Sequence, residues 1–276
     1  MSCGRIRKAL APGLNVLLSH ELKNLQVSVL CLEEGQVFEF ETGAREHACV
    51  LVRGHCAIRL GNGVETVLGP RGNPFSDPPY AVLAGRDERL RFQARVQSMI
   101  GVGSAPAARQ YASTIITPAE IGGGRRGVGN WERQVRLVCW SDNTQGNMLL
   151  AGETVTPSGN WSTIPPHRHQ YHIEGEEVPY EEAYFFQFSK PQGYGLAWQF
   201  DDEGELDQAF SLRSNDLLYM SKGYHPTVAG PGSDLYHLTF ICGPYRISKA
   251  RVHPDYCFLL EERNLDNPYA RQVVGK

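Results

Sequence analysis

No apolar run in this 276-residue chain approaches the roughly 20 residues that a membrane-spanning helix needs. No excess of basic charge is present either. Lys and Arg number 27 against 30 Asp and Glu, a net charge of -3, which leaves no electrostatic footprint for nucleic acid. The first ten residues are basic but lack the long apolar core of a secretory signal. The seven cysteines, Cys3, Cys31, Cys49, Cys56, Cys139, Cys242 and Cys257, contain no C-x-x-C pair, and their number is odd. Neither a zinc-finger spacing nor a paired disulfide framework is therefore supported. Most sit in apolar runs such as Ala48-Cys49-Val50-Leu51-Val52, as buried reduced thiols of a cytoplasmic protein do. Helical periodicity is scarce. The best signal is a short one near Val252–Leu260, expected to cap the C-terminal end. The glycine-rich stretch Gly122–Asn130 lacks the Gly-Lys-Ser/Thr ending of a phosphate loop. It reads as a connecting loop, unless Arg125 or Arg126 approaches an active site.

What is present is globular composition, 41% hydrophobic and 21% charged, with ample material for a core. Twenty-nine glycines and 17 prolines punctuate many short runs, the pattern of an all-β sandwich or barrel rather than of alternating βα units. A first β set includes Gln26–Leu32, Gln36–Phe40, His47–Val52 and His55–Leu60, with a hairpin signal at Gly61-Asn62-Gly63. A second includes Gln134–Trp140, Met148–Val155, Ala183–Phe188, Gly195–Phe200 and Leu235–Ile241. The expected organisation is an N-terminal β domain over 1–112, a linker over 113–133 and a C-terminal β domain over 134–276.

The second set carries a concentration of metal-binding side chains. His167 and His169 lie in Pro165-Pro166-His167-Arg168-His169. In an extended segment, residues i and i+2 point to one face. Glu182 follows in Glu181-Glu182-Ala183-Tyr184-Phe185-Phe186, and His225 comes later in Lys222-Gly223-Tyr224-His225-Pro226. Three imidazoles and one carboxylate suit a divalent ion, Zn foremost, then Mn, Fe, Co or Ni. Alternation groups Glu182 with Tyr184 and Phe186, and Glu181 with Ala183 and Phe185; either face can be inward on periodicity alone. The polar segment 170–180 must be a loop, and its His172, Glu174, Glu176 and Glu177 are alternative ligands.

His-x-His, then Glu, then a distant His after a turn resembles the cupin metal motif. Asp216, Gly223 and His225 fit its second half, with Ser221 where the motif has proline. Cupins are double-sheet jelly rolls. Five segments go further and resemble the 5-deoxy-glucuronate isomerase family of myo-inositol catabolism, related to the 5-keto-4-deoxyuronate isomerases. They are Gly127–Arg136, Gly152–Ser162, Pro165–His169, Glu181–Phe186 with Pro191–Gly195, and Lys222–Pro226 with Asp234–Tyr236. The resemblance implies an all-β bicupin whose metal site lies only in the second cupin. It implies His167, His169, Glu182 and His225 as ligands, and a metal-dependent aldose–ketose isomerisation of a small sugar acid: 5-deoxy-D-glucuronate to 2-deoxy-5-keto-D-gluconate. Two departures stand out. Gln170 takes the place of the family's usual Asp, and Tyr236-His237-Leu238-Thr239 lacks its usual Asn.

Such a reaction needs a group that moves a proton. Candidates are Glu181, Tyr184, Lys222, Tyr224 and Tyr236. A cation for the substrate carboxylate is expected from Lys222, Arg246, Arg168 or Arg126, with Gln192 and Tyr224 as further substrate contacts. Another uronate isomerase, a metal-dependent cupin dioxygenase and a non-catalytic sugar-binding cupin stay open as alternatives. Exposed sheet edges favour a homo-oligomer.

Overall fold

The computed structural model describes residues 3–61, 63–142, 144–262 and 265–268. Its regular secondary structure is almost wholly antiparallel strand. In the N-terminal unit the sheet order is Gly13–Leu18, Gln26–Leu32, Arg89–Pro106, Arg45–Leu60, Ala81–Ala84 and Thr114–Ile116. Val37–Glu41 and Thr66–Arg71 pair with the far ends of the two long strands. The runs expected as two strands, His47–Val52 and His55–Leu60, are one strand of 16 residues. Register shifts at Leu51/Arg53 and beyond bend it, so one strand serves two layers. Gly54 sits at the bend with φ +113, and a Cβ there would lie 2.6 Å from the Cα of Ser98. The centre of the expected hairpin turn, Asn62, lies outside the described residues.

The C-terminal unit has a seven-stranded sheet in the order Cys3–Arg7, Asp216–Met220, Glu181–Phe188, Leu235–Cys242, Leu149–Thr156, Arg133–Cys139 and Gly122–Arg126. A four-stranded sheet, Trp161–Ser162, Thr227–Ala229, Gly195–Phe200 and Asp207–Leu212, forms its second layer. Cys3–Arg7 thus pairs with the C-terminal sheet. Thr114–Ile116 joins the N-terminal sheet and Gly122–Arg126 the C-terminal one, so the segment expected as a linker is partly strand. The glycine-rich stretch is correspondingly an edge strand over Gly122–Arg126, not a loop. The expected C-terminal helix is reduced to a 3-10 turn over Pro254–Tyr256 and one turn of α-helix over Phe258–Glu261.

Two-sided burial of the large sheet organises everything else. Along Leu235–Cys242, Tyr236, Leu238, Phe240 and Cys242 face the N-terminal unit, where they join Leu18, Val29, Val50 and Leu83 in one apolar core. Along Glu181–Phe188, Ala183 and Phe185 face the same way. Tyr184, Phe186 and Phe188 face the barrel interior with Leu218 and Met220. Strands covered on both faces read as near-continuous apolar runs, which accounts for the sequence Ala183-Tyr184-Phe185-Phe186. The sheets approach so closely that a Cβ on Gly101 would lie 2.2 Å from Leu238 and one on Gly103 2.3 Å from the Phe240 ring.

Three carboxylates stitch this apolar interface. Glu46 accepts the N–H groups of Asn147, Met148 and Leu149 at 2.6–2.7 Å. Glu181 accepts those of Asn24 and Leu25 at 2.9 and 2.7 Å. Glu153 receives two hydrogen bonds from Arg71 at 2.7 and 2.9 Å and one from the Tyr236 hydroxyl at 2.6 Å, all buried. Losing one partner of such a buried pair strands the other charge. The tight contact gives a direct test. Gly103→Val should destabilise the chain by about 1–3 kcal/mol through overpacking, read as a lower denaturation midpoint. An unchanged midpoint would mean that the two units do not pack this closely.

Candidate metal centre and its cavity

His167 and His169 flank Arg168 in a short extended segment, of which His167–Arg168 pairs with Arg251–Val252. Both imidazoles are buried. Arg168 points away, over the rings of Tyr171 and Tyr224, and pairs with Glu177 and Asp202. The 170–180 segment is a loop, as its composition suggests, but its end is anchored. Glu177 is fully buried and accepts the N–H groups of Gln170 and Tyr171 at 2.6 and 2.9 Å, so this carboxylate holds the loop. The Tyr180 ring then stacks on His169 at 3.7 Å between centroids. Glu182 follows, opening the inward face of its strand, and alternation sends Glu181 to the opposite face. Gly223, at φ +72, lets the chain turn tightly before His225; a Cβ there would lie 2.6 Å from the Phe200 carbonyl oxygen.

Glu182, His169 and His225 present donor atoms that all lie within 4.8 Å of one another. Nε2 of His169 is 3.0 Å and Nε2 of His225 3.4 Å from the same Glu182 oxygen. His167 is outside that tight group, with its ring centroid 5.0 Å from that of His225. Each imidazole has Nδ1 against a backbone carbonyl: His167 on Pro165 at 3.0 Å, His169 on Tyr180 at 2.7 Å and His225 on Gly223 at 3.3 Å. With the proton on Nδ1, the Nε2 lone pairs of His169 and His225 are directed at a carboxylate oxygen. Two lone pairs beside one anion repel unless a cation lies among them. Among the described residues, Nε2 of His225 is buried with no hydrogen-bond partner. Carbonyl-anchored imidazoles with Nε2 free are the usual arrangement of metal-binding histidines. Separations of 3.0–3.4 Å match neighbouring donors around an ion with bonds of about 2.0–2.2 Å. The donor set therefore fits a divalent metal.

Titration agrees. Burial pushes the His167 and His225 imidazoles below the ordinary range, so they stay neutral. Burial opposes the charge on Glu182, but contacts with His169 and His225 outweigh this when an imidazole carries a proton on Nε2, and hold the carboxyl well below the usual carboxylate range; an ion in place of that proton does the same.

A cavity of about 140 Å³ opens beside this cluster. His167, Glu182, Tyr184, Thr239, His237, Thr154, Arg133 and Arg126 are among its walls. Strand register orders them in rows. Glu182 is level with Ile241, Tyr184 with Thr239, and Phe186 with His237, which is in turn level with Thr154. Glu182 and His237 are thus four residues apart along the sheet, roughly 13 Å.

Tyr184 and Arg126 are the expected proton-transfer and carboxylate-binding residues that the fold brings to the cavity. The others lie elsewhere. Glu181 is tied to the backbone of the N-terminal unit, and Tyr236 faces Glu153 across the interface. Lys222 approaches Asp201 at 3.6 Å. Arg246 is buried against the carbonyls of Leu149 and Thr144. Tyr224 donates to Asp202. Gln192 is on an exposed turn. The residues not foreseen from sequence are Arg133, Thr154, His237 and Thr239. Their signal was present as polar side chains at inward positions of otherwise apolar strands.

The comparison with known proteins follows the same outline. The KduI/IolB family model matches residues 16–259. The chain belongs to the KduI/IolB family. It is similar to the 5-deoxy-glucuronate isomerase of Geobacillus thermodenitrificans, 32% identical with 85% of this chain and 86% of that one covered. It is also similar to the protein of that name from Listeria monocytogenes, 25% identical with 93% and 96% covered. Among solved structures, an IolB-like protein from Salmonella typhimurium superposes with a TM-score of 0.88 at 26% identity, covering 94% of this chain and 99% of that one. Oxalate decarboxylase from Lactobacillus farciminis gives 0.63 at 10% identity, with 87% and 84% covered, a likeness of fold alone. The chain has the cupin fold, in two β units. Among the described residues no helix is long and apolar enough to cross a membrane.

The site yields a pH prediction. Metal binding needs neutral imidazoles, and ordinary ones half-protonate near 6.5, where protons begin to compete with the ion. Because burial lowers His167 and His225 and the contacts of Glu182 keep it ionised, metal stoichiometry should stay level from pH 8 to 6 and fall only below that. Metal analysis after dialysis across this range checks it. Half-release at pH 6.5 would contradict the lowered imidazoles of His167 and His225.

Proposed function

We propose that this member of the KduI/IolB family is a metal-dependent isomerase that converts 5-deoxy-D-glucuronate to 2-deoxy-5-keto-D-gluconate in inositol catabolism. The observation that carries the reading is a buried cluster of carbonyl-anchored imidazoles around Glu182, opening onto a cavity with guanidinium groups on its wall. Its named relatives support the choice of substrate.

His167, His169, Glu182 and His225 would hold the ion, with Zn as the first choice. A bound divalent ion supplies positive charge for the carbonyl and neighbouring hydroxyl oxygens, and so favours loss of the adjacent C–H proton. The balance of the reaction is simple. Hydrogen moves from the carbinol carbon to the aldehyde carbon, and the hydroxyl proton moves between the two oxygens. Tyr184 is the proton-transfer candidate on the cavity wall, two residues beyond Glu182 on the same face. Its phenol hydroxyl can accept or donate a proton beside the reacting carbons. Arg133 is buried, held by the carbonyls of Trp131 and Ile164 at 3.1 and 3.0 Å. A guanidinium fixed in this way is suited to a carboxylate, and with Arg126 it would bind the acid end of the substrate and orient the aldehyde end toward Glu182. The same reading includes a cytoplasmic homo-oligomer, which light scattering on the purified protein tests.

Metal analysis and an isomerase assay on the purified protein test the reading together. Wild type should carry metal and turn over the aldehyde acid. His169→Ala should lose both, with activity down on the order of 10³-fold, several kcal/mol of transition-state stabilisation. Arg133→Met should keep the metal and raise KM at least about 10-fold, the loss of one charge-assisted contact. Full metal content in a His167→Ala, His169→Ala double variant would sink the ligand assignment.

A further inference from the structure

His237 stands apart from every role assigned so far. It is 2% exposed and lines the cavity, yet neither ring nitrogen makes a hydrogen bond within the described residues. Nδ1 is sealed from solvent, which leaves Nε2 as the nitrogen available to the cavity. The ring is fixed by aromatic packing, 4.6 Å from Tyr184 and 5.8 Å from Phe186 between centroids. A buried polar group left unpaired is costly. An apolar residue would fill this inward position of a strand at less cost, since Phe186 on one side packs in an apolar core.

We infer that His237 is a specificity-determining residue, hydrogen-bonding through Nε2 to a substrate hydroxyl at the end of the cavity away from Glu182. The inference rests on the proposed sugar-acid substrate and adds the group that reads it. Register sets its place: His237 is level with Phe186, four residues from Glu182, with Thr154 directly beside it. Its chemistry sets the partner. Burial pushes the imidazole down to about 3, so the ring is neutral. A neutral imidazole contributes no charge toward a carboxylate, a task for which Arg133 is better suited. A hydroxyl both donates and accepts, so it satisfies Nε2 in either tautomer. A site built to bond a hydroxyl discriminates strongly against an analogue lacking it, because its own buried group is then stranded.

The test compares metal-loaded wild type, His237→Phe and His237→Gln. Phe keeps the ring and removes both nitrogens; Gln returns an amide near the place of Nε2. Steady-state turnover of 5-deoxy-D-glucuronate and its Kd by calorimetry are measured together with metal content and Tm. The expected result is a KM and Kd at least 10-fold higher in His237→Phe, largely restored in His237→Gln, with kcat changed less than threefold and metal content unchanged. Unaltered KM and Kd in His237→Phe overturn the inference. So does a loss of kcat, metal and Tm in both variants alike, which is the signature of a packing role. If wild type binds the acid without turning it over, the isomerase reading fails, and the ratio of Kd values still decides the role of His237. If wild type binds no acid at all, both fall.

Discussion

The large C-terminal sheet is buried on both faces, and the period of two along its strands divides the labour between them. One face is apolar and closes against the N-terminal unit, close enough that only glycine fits at 101 and 103. The other face carries Glu182, Tyr184, Thr239 and His237 into the barrel. A strand cannot shift by one residue without exchanging the two sets. The site's geometry is therefore held by the dry interface behind it, and the N-terminal unit acts as the support that fixes the register of the catalytic sheet.

The carboxylates follow the same division. Glu181 and Glu182 are chain neighbours with opposite tasks. One takes backbone N–H groups from the N-terminal unit, and the other faces the imidazoles. Glu46 and Glu153, both buried, belong with the half-buried Glu181 as interface groups, each satisfied by donors from across the boundary or beside it. Buried carboxylates in this protein are thus of two kinds. Those surrounded by donors hold structure in place, Glu46 and Glu153 between the two units and Glu177 within the 170–180 loop. Glu182, whose nearest neighbours are two nitrogens with lone pairs, asks for a cation.

Around the candidate metal cluster, rigidity comes from the backbone. Three imidazoles lean on three carbonyls, and those carbonyls belong to segments that are themselves pinned: 165 precedes a paired strand, 180 ends the loop that Glu177 anchors, and 223 sits in the turn that Gly223 allows. The loop between His169 and Glu182, too long for a simple hairpin, is tied back by Glu177 and by the stack of Tyr180 on His169. Its length does not loosen the site.

The sequence by itself determined the all-β class, the two β sets and the histidines of the candidate metal site, because strand alternation, His-x-His and the turn before His225 are local properties. The family was legible for the same reason, in short motifs that keep their spacing. The tertiary structure decided which of two adjacent glutamates faces inward, since periodicity fixes that they differ but not which side is the barrel. It also joined the two runs 47–52 and 55–60 into one bent strand, and drew Cys3–Arg7 into the C-terminal sheet. It set Arg246, Lys222 and Tyr236 away from the cavity and brought Arg133 and His237 to its wall. Those assignments depend on which strands lie side by side, and pairing between residues distant in the chain, such as Cys3 with Met220 or Phe186 with His237, leaves no mark in either strand alone.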